Sequence, residues 1–177
     1  MADSSITKKA LAASLKSLMT EVPFTKINIA DICERCQMNR KSFYYHFRDK
    51  YELVNWIFDT EFIEAVKDSR CVTVESAFDV LLCYFYDNRN FYRKALQIDG
   101  QNSFSEHFRE LWQPVITAAL ENTYEDKKVT QFHVNFLADA LMCAILRWLS
   151  TPQCLPADEF ASLLKQSLRL MGTLSNE

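Results

Sequence analysis

Apolar residues recur along this chain at three- and four-residue spacing, the period of an amphipathic helix, and alternating runs are scarce. Leu11, Leu15, Leu18, Met19 and Val22 fall on one face and predict a helix over residues 4–21, stopped by Pro23. A short connection follows at 24–27. Asn28 then reads as an N-cap, with Asp31 three residues on, where an acid suits a helix start. Ile29, Ile32 and Cys33 form the inner face of a short helix over about 29–35, and 36–38 is a tight turn. Asn39 is a second N-cap, and Met38 and Phe43 stand at hydrophobic-staple spacing. Asp49 and Lys50 end this third helix and open a longer one over about 50–67, with Leu53, Trp56, Ile57 and Phe62 inward.

The remaining pattern is also helical. Residues 74–88 place Val74, Phe78, Leu81, Leu82 and Phe85 on one face, and a short helix to about 97 follows a turn at 88–90. Residues 99–102 are the clearest loop. Helices are predicted over 103–124, where Pro114 should kink or split the element, then over 127–150 and 156–174. The fold class is all-α. With 2 Gly and 4 Pro in 177 residues, composition also favours long helices.

The third helix carries the chemistry. At 100° per residue, Phe43 and Phe47 face inward, Lys41, Ser42, Tyr45 and His46 cover the opposite side, and Arg40 and Tyr44 flank it. Two cations and a hydroxyl thus stand in a first turn whose backbone N–H groups suit an anion. A short helix, a three-residue turn and a helix of this kind make a helix-turn-helix. Charge agrees. Residues 1–50 hold nine Lys and Arg against five Asp and Glu, while 51–177 hold eleven against eighteen. A basic head on an acidic body calls for an anionic partner at the head.

Other chemistries find less. Cys33 and Cys36 form a C-x-x-C with His46 ten residues on, but zinc needs four ligands and no second pair exists. A metal or thiol sensor at Cys33 and Cys36 is a remote alternative, and no metal or cofactor is expected. The chain has no G-x-S-x-G, Gly-rich phosphate loop or H-E-x-x-H, and no residue is assigned to catalysis. The N-terminus lacks a secretory pattern, and the longest apolar runs are too short to span a bilayer. A cytoplasmic protein with six reduced, mostly buried thiols and no membrane partner is the expectation.

Residues 6–58 resemble the N-terminal DNA-binding domain of the tetracycline-repressor family of bacterial regulators. The carrying residues are Phe24, INIADI at 27–32, MNRKSFYYHF at 38–47, Asp49, Lys50 and Leu53. The resemblance implies a three-helix helix-turn-helix domain at 1–50 and a helical regulatory domain, for ligand binding and dimerisation, at 51–177. It implies that Arg40, Lys41 and Ser42 reach base edges and nearby phosphates. Tyr44, Tyr45 and His46 would contact the phosphate backbone, and Lys50 a further phosphate. Two positions depart from the family pattern. Gln37 occupies the turn position where Gly is usual, and Asn28–Ile29 stand where two Thr are frequent. Ala30 has nothing to read bases with, so readout should lean on the third helix.

The body is similar to one subgroup of that family, the regulators of dihydroxyacetone kinase operons. The match lies in YFYDNRNFYRKAL at 84–96 with Phe104 and Phe108. In that subgroup an activator can work with a protein co-regulator. Tyr84, Phe104, Phe108 and Trp112 either line an effector pocket or simply fill the helical core. The last two helices carry wide apolar stripes, Phe132, Phe136, Leu137, Leu141, Ile145 and Trp148 on one and Phe160, Leu163, Leu164, Leu168 and Met171 on the other. The resemblance implies that they pair with symmetry mates in a four-helix bundle, or else they close the monomer core. The expected partners are double-stranded DNA, a second copy in a homodimer, and either a small-molecule effector or a protein co-regulator. An enclosed cavity with convergent polar groups would favour the former, and a filled core with an exposed apolar patch the latter.

Overall fold

The computed structural model describes residues 2–69, 73–98, 100, 102–123 and 129–173. Among them run nine α-helices and no strand: α1 (Ala2–Glu21), α2 (Ile29–Arg35), α3 (Arg40–His46), α4 (Lys50–Asp68), α5 (Val74–Asp87), α6 (Arg89–Ala95), α7 (Phe104–Thr123), α8 (Gln131–Ser150) and α9 (Ala157–Thr173). Asp99 and Gln101 of the expected loop, the expected helix limits at 124 and 174, Cys71 and the side chain of Met171 lie outside the described residues, and the helix expected from 127 begins only at Gln131, because Thr130 is extended and caps it.

Local signals account for the helix ends. Asn28 and Asp31 form a complete capping box on α2, with Asp31 N–H to Asn28 Oδ1 at 3.1 Å and Asn28 N–H to Asp31 Oδ2 at 2.8 Å. Asn39 Oδ1 accepts the Ser42 N–H at 2.8 Å, and Asp49 Oδ1 accepts the Glu52 N–H at 2.8 Å, starting α3 and α4. Leu11, Leu15, Leu18 and Met19 are buried along α1, but Val22, expected beside them, lies just past the helix end and is exposed. Pro114 neither splits nor ends α7, which runs on from Phe104 to Thr123. The carbonyl that loses its partner there is that of Glu110, an exposed residue, so water can satisfy it.

The α2–α3 turn closes without glycine. Gln37 has φ of 57°, the left-handed region, while Met38 N–H bonds Cys33 C=O at 2.8 Å and Gln37 N–H bonds Glu34 C=O at 3.1 Å. That pair of bonds ends a helix on a left-handed residue, a place glycine fills without strain. Gln37→Gly should therefore stabilise the protein by about 0.5–1 kcal/mol, part of the relief being offset by unfolded-chain entropy. Thermal denaturation checks this as a rise of about 2 °C.

Helices α1 to α4 share one buried cluster with residues of α5 to α9, and Ile116, Val134 and Ala138 form a smaller second cluster between α7 and α8. On α4, Leu53, Val54, Ile57 and Phe58 are all buried. In the body α7 packs along α8, and α9 along α5. The two halves are also tied by polar contacts. Lys16 of α1 bonds both carboxylate oxygens of Glu61 on α4 at 2.9 Å, and the Lys94 ammonium of α6 donates to the carbonyl of Met19 at the end of α1.

His107 of α7 meets Asp59 of α4 with Nε2 to Oδ1 at 2.7 Å. The Asp59 bond and charge, with Glu110 nearby, raise the imidazole above its ordinary range against the opposing effect of burial. A histidine raised on folding stabilises the fold below about pH 6.5, and that contribution is lost as pH rises through the raised value. The melting temperature should fall by about 2 °C across that window in the native protein and stay flatter in His107→Gln. Equal pH profiles for the two proteins would remove the pair's role.

Two expectations need correction. Of the five described cysteines only Cys33 is buried; Cys36 and Cys154 are half-buried, and Cys83 and Cys143 are exposed, because the helical phase turns them away from the core. Helix α8 is long and apolar enough to cross a membrane by length and composition alone, as a core helix of a folded protein also is, and it packs along α7. Its scattered polar residues interrupt every apolar run, so run length alone did not reveal it.

Candidate nucleic-acid interface

Helix α3 rests on two buried rings. Phe43 and Phe47 lie 5.8 Å apart, and Phe47 packs at 5.6 Å against Trp56 of α4. This anchor turns the opposite face outward. Arg40 and Lys41 are exposed, Tyr44 is 57% and Tyr45 82% exposed, and Ser42 and His46 are half-buried. The His46 ring stands edge-on to Tyr45 at 4.9 Å. The face therefore offers two cations, two phenolic hydroxyls, a serine hydroxyl and an imidazole together. Groups of these kinds are able to donate to phosphate oxygens, and cations of this kind can also read base edges.

Two more cations stand close to α3. Arg48 stands two residues past the end of α3, its side chain 70% exposed and 3.6 Å from its neighbour Asp49. Lys8 lies over the Phe47 ring at 5.5 Å and over Trp56 at 5.7 Å. Arg48 was legible as the next residue of the motif, whereas Lys8 belongs to α1, far from α3 in sequence, and arrives only through packing.

Lys50 sits differently from the others. Its ammonium donates to the carbonyls of Phe24 at 2.7 Å and Ile27 at 2.6 Å and lies 4.3 Å above the Phe24 ring. Burial pushes it below the ordinary lysine range.

The body residues fill space. Phe104 and Phe108 are buried in a cluster of rings around Phe58. Tyr84 joins them, its hydroxyl 2.7 Å from Glu61 Oε2 and 2.6 Å from the Tyr92 hydroxyl, and burial drives both phenols far above their usual range. Trp112 and Phe108 border a small gap between α5, α7 and α8, lined also by Phe78, Leu141 and Met142. It holds about 20 Å³, room for hardly more than one water.

The apolar stripes of the last two helices divide. On α8 the exposed line is Phe132, Phe136, Ala140 and Cys143; Phe132 is 72% and Phe136 58% exposed, and their rings stack at 6.3 Å. Leu141 is half-buried against α7. Trp148, placed in the same stripe by periodicity, belongs to the core: it stacks on Phe160 at 4.3 Å and its Nε1–H donates to Leu155 C=O at 2.8 Å. A stripe spread over sixteen residues at a heptad-like spacing drifts round a straight helix, so its two ends face different neighbours. On α9, Phe160 and Leu164 pack partly on the core while Leu163 and Leu168 are exposed.

Cys33 faces the core, and burial pushes its thiol up. The Cys36 thiol donates to Ile32 C=O at 3.3 Å. Among the described residues no three His, Cys, Asp or Glu side chains gather where a metal ion would sit.

Residues 11–57 match the family described as bacterial regulatory proteins, tetR family, and residues 73–170 match the transcriptional regulator C-terminal region. The chain belongs to the TetR family. It is a TetR-family transcriptional regulator, and its helix-turn-helix is the DNA-binding element. The HTH-type dhaKLM operon transcriptional activator DhaS of Lactococcus lactis subsp. lactis (strain IL1403) is 28% identical over 144 residues, which span 81% of this chain and 74% of that one. Among solved structures, a TetR transcriptional regulator from Streptococcus agalactiae 2603V superposes with a TM-score of 0.69 at 24% identity over 95% of this chain and 94% of the other. The dihydroxyacetone kinase operon activator DhaS gives 0.61 at 23% identity over 96% of each chain. At such identities the superpositions establish the shared TetR fold.

Proposed function

We propose that this TetR-family regulator binds a roughly palindromic operator as a twofold homodimer and acts, with a protein co-regulator, on an operon for dihydroxyacetone phosphorylation. It works by binding and not by catalysis, in the bacterial cytoplasm where the operator lies. Residues 1–50 read DNA and residues 51–177 carry regulation and dimerisation. The observation that carries the reading is the outward face of α3, where Arg40, Lys41, Ser42, Tyr44, Tyr45 and His46 stand over buried Phe43 and Phe47. Arg48 joins this set as a phosphate contact.

The regulated operon rests on the likeness to DhaS. The choice of a protein co-regulator over a small effector rests on the filled core and the gap of about 20 Å³, far below the several hundred Å³ of an ordinary ligand pocket. The homodimer rests on the exposed line Phe132, Phe136, Ala140 and Cys143 with Leu163 and Leu168, an apolar surface that a second copy would cover.

The test is operator selection from genomic fragments followed by salt titration of the native protein, Arg40→Ala and Lys41→Ala. Each variant should bind operator about tenfold more weakly and discriminate less among sequences. Steep salt dependence in the native protein is required, with a smaller slope for Lys41→Ala. Affinity and selectivity unchanged in both variants would move the DNA contacts elsewhere.

A further inference from the structure

We infer that Lys50 is a positioning residue for the recognition helix and not a phosphate contact. This rests on α3 as the DNA-reading helix. Lysine has three N–H donors, and two of them bond the carbonyls of Phe24 and Ile27 at 2.7 and 2.6 Å. The ammonium also lies 4.3 Å above the Phe24 ring, which itself packs edge-on at 5.1 Å against Tyr51, the next residue of α4. Nothing comparable holds Arg40 or Lys41, which are exposed.

The location explains the effect. Phe24–Lys26 is the 3-10 turn that leads into Asn28, the cap of α2, and Lys50 is the first residue of α4. One side chain therefore ties the joint before α2 to the joint after α3. The unit of two seven-residue helices between those joints is fixed at both ends. A seven-residue helix is too short to hold its own direction, so the angle of α3 depends on such ties. Drawing the ammonium out to a phosphate would take the donor from the Ile27 carbonyl and leave the Phe24 carbonyl only the Ile27 N–H at 3.1 Å, a costly exchange in a half-buried site. The downward displacement of its proton affinity fits a cation already withdrawn from water.

The experiment compares the native protein, Lys50→Met and Lys41→Met. Each is melted without DNA and then titrated with salt on the same operator fragment. Methionine keeps the stem against Phe24 and removes the ammonium. Lys50→Met should melt about 5 °C lower and bind operator about tenfold more weakly, with the salt slope of the native protein. Lys41→Met should melt like the native protein and lose slope by about 0.9 per subunit. The inference is overturned if Lys50→Met melts like the native protein, or if its salt slope drops as that of Lys41→Met does. Should Lys50→Met not fold, the same comparison is made in the Gln37→Gly background. A native protein without salt dependence would instead remove the DNA reading of α3, and the melting comparison would still decide whether Lys50 holds the joints together.

Discussion

Phe58→Ala is expected to cost about 3–5 kcal/mol and lower the melting temperature by about 10 °C. Phe58 has no exposed surface, and six other rings surround it. Phe62 stacks on it at 5.2 Å, Phe104 at 5.2 Å, Phe85 and Phe108 at 5.9 Å, Tyr92 at 6.0 Å and Tyr84 at 6.4 Å. These rings come from α4, α5, α6 and α7, so the cavity left by alanine is walled by several helices that cannot all close in. Circular dichroism melts of the variant check the size of the loss. A change below about 1 kcal/mol would mean that the rings repack around the gap. Tyr92 and Tyr84 limit such repacking, because their hydroxyls are bonded to each other and that of Tyr84 also donates to Glu61.

The double substitution Phe132→Glu and Phe136→Glu is expected to yield a folded monomer whose operator affinity falls by about a thousandfold. Both rings are mostly exposed in the isolated chain, so folding itself should be little affected. Two carboxylates on this face would meet two more across a twofold axis, and charges buried in an apolar contact without partners are strongly unfavourable. Losing the dimer removes the coupling between half-sites, which by effective concentration is worth about 100- to 10,000-fold. Sedimentation gives the mass, and titration of operator gives the affinity. A double variant that stays dimeric would place the subunit contact elsewhere and leave the Phe132–Phe136 pair free for a co-regulator.

Much of the DNA-reading end was legible because its signals are short-range. The caps Asn28 and Asn39, the break at Asp49 and the buried pair Phe43 and Phe47 depend on residues a few positions apart, and each appears in the structure at the expected place. The all-helical class followed from the same periodicity and holds among the described residues. The body was less legible. Tyr84, Phe104 and Phe108 carry the same aromatic signal whether they line a pocket or fill a core, and periodicity does not say what stands opposite them.

The sequence by itself determined where most helices begin and end and which face of α3 turns outward, because capping and amphipathic phase act within a turn or two of chain. It also determined the family, through a motif whose residues are neighbours. Only the tertiary structure decided that the Lys50 ammonium closes on carbonyls twenty-three and twenty-six residues away. The same holds for Trp148, which turns inward onto Phe160 while Phe132 of the same helix stays outside. The physical reason is common to both. A side chain's partners are set by how helices distant in sequence cross, and that packing is a property of the whole core and not of any window along the chain.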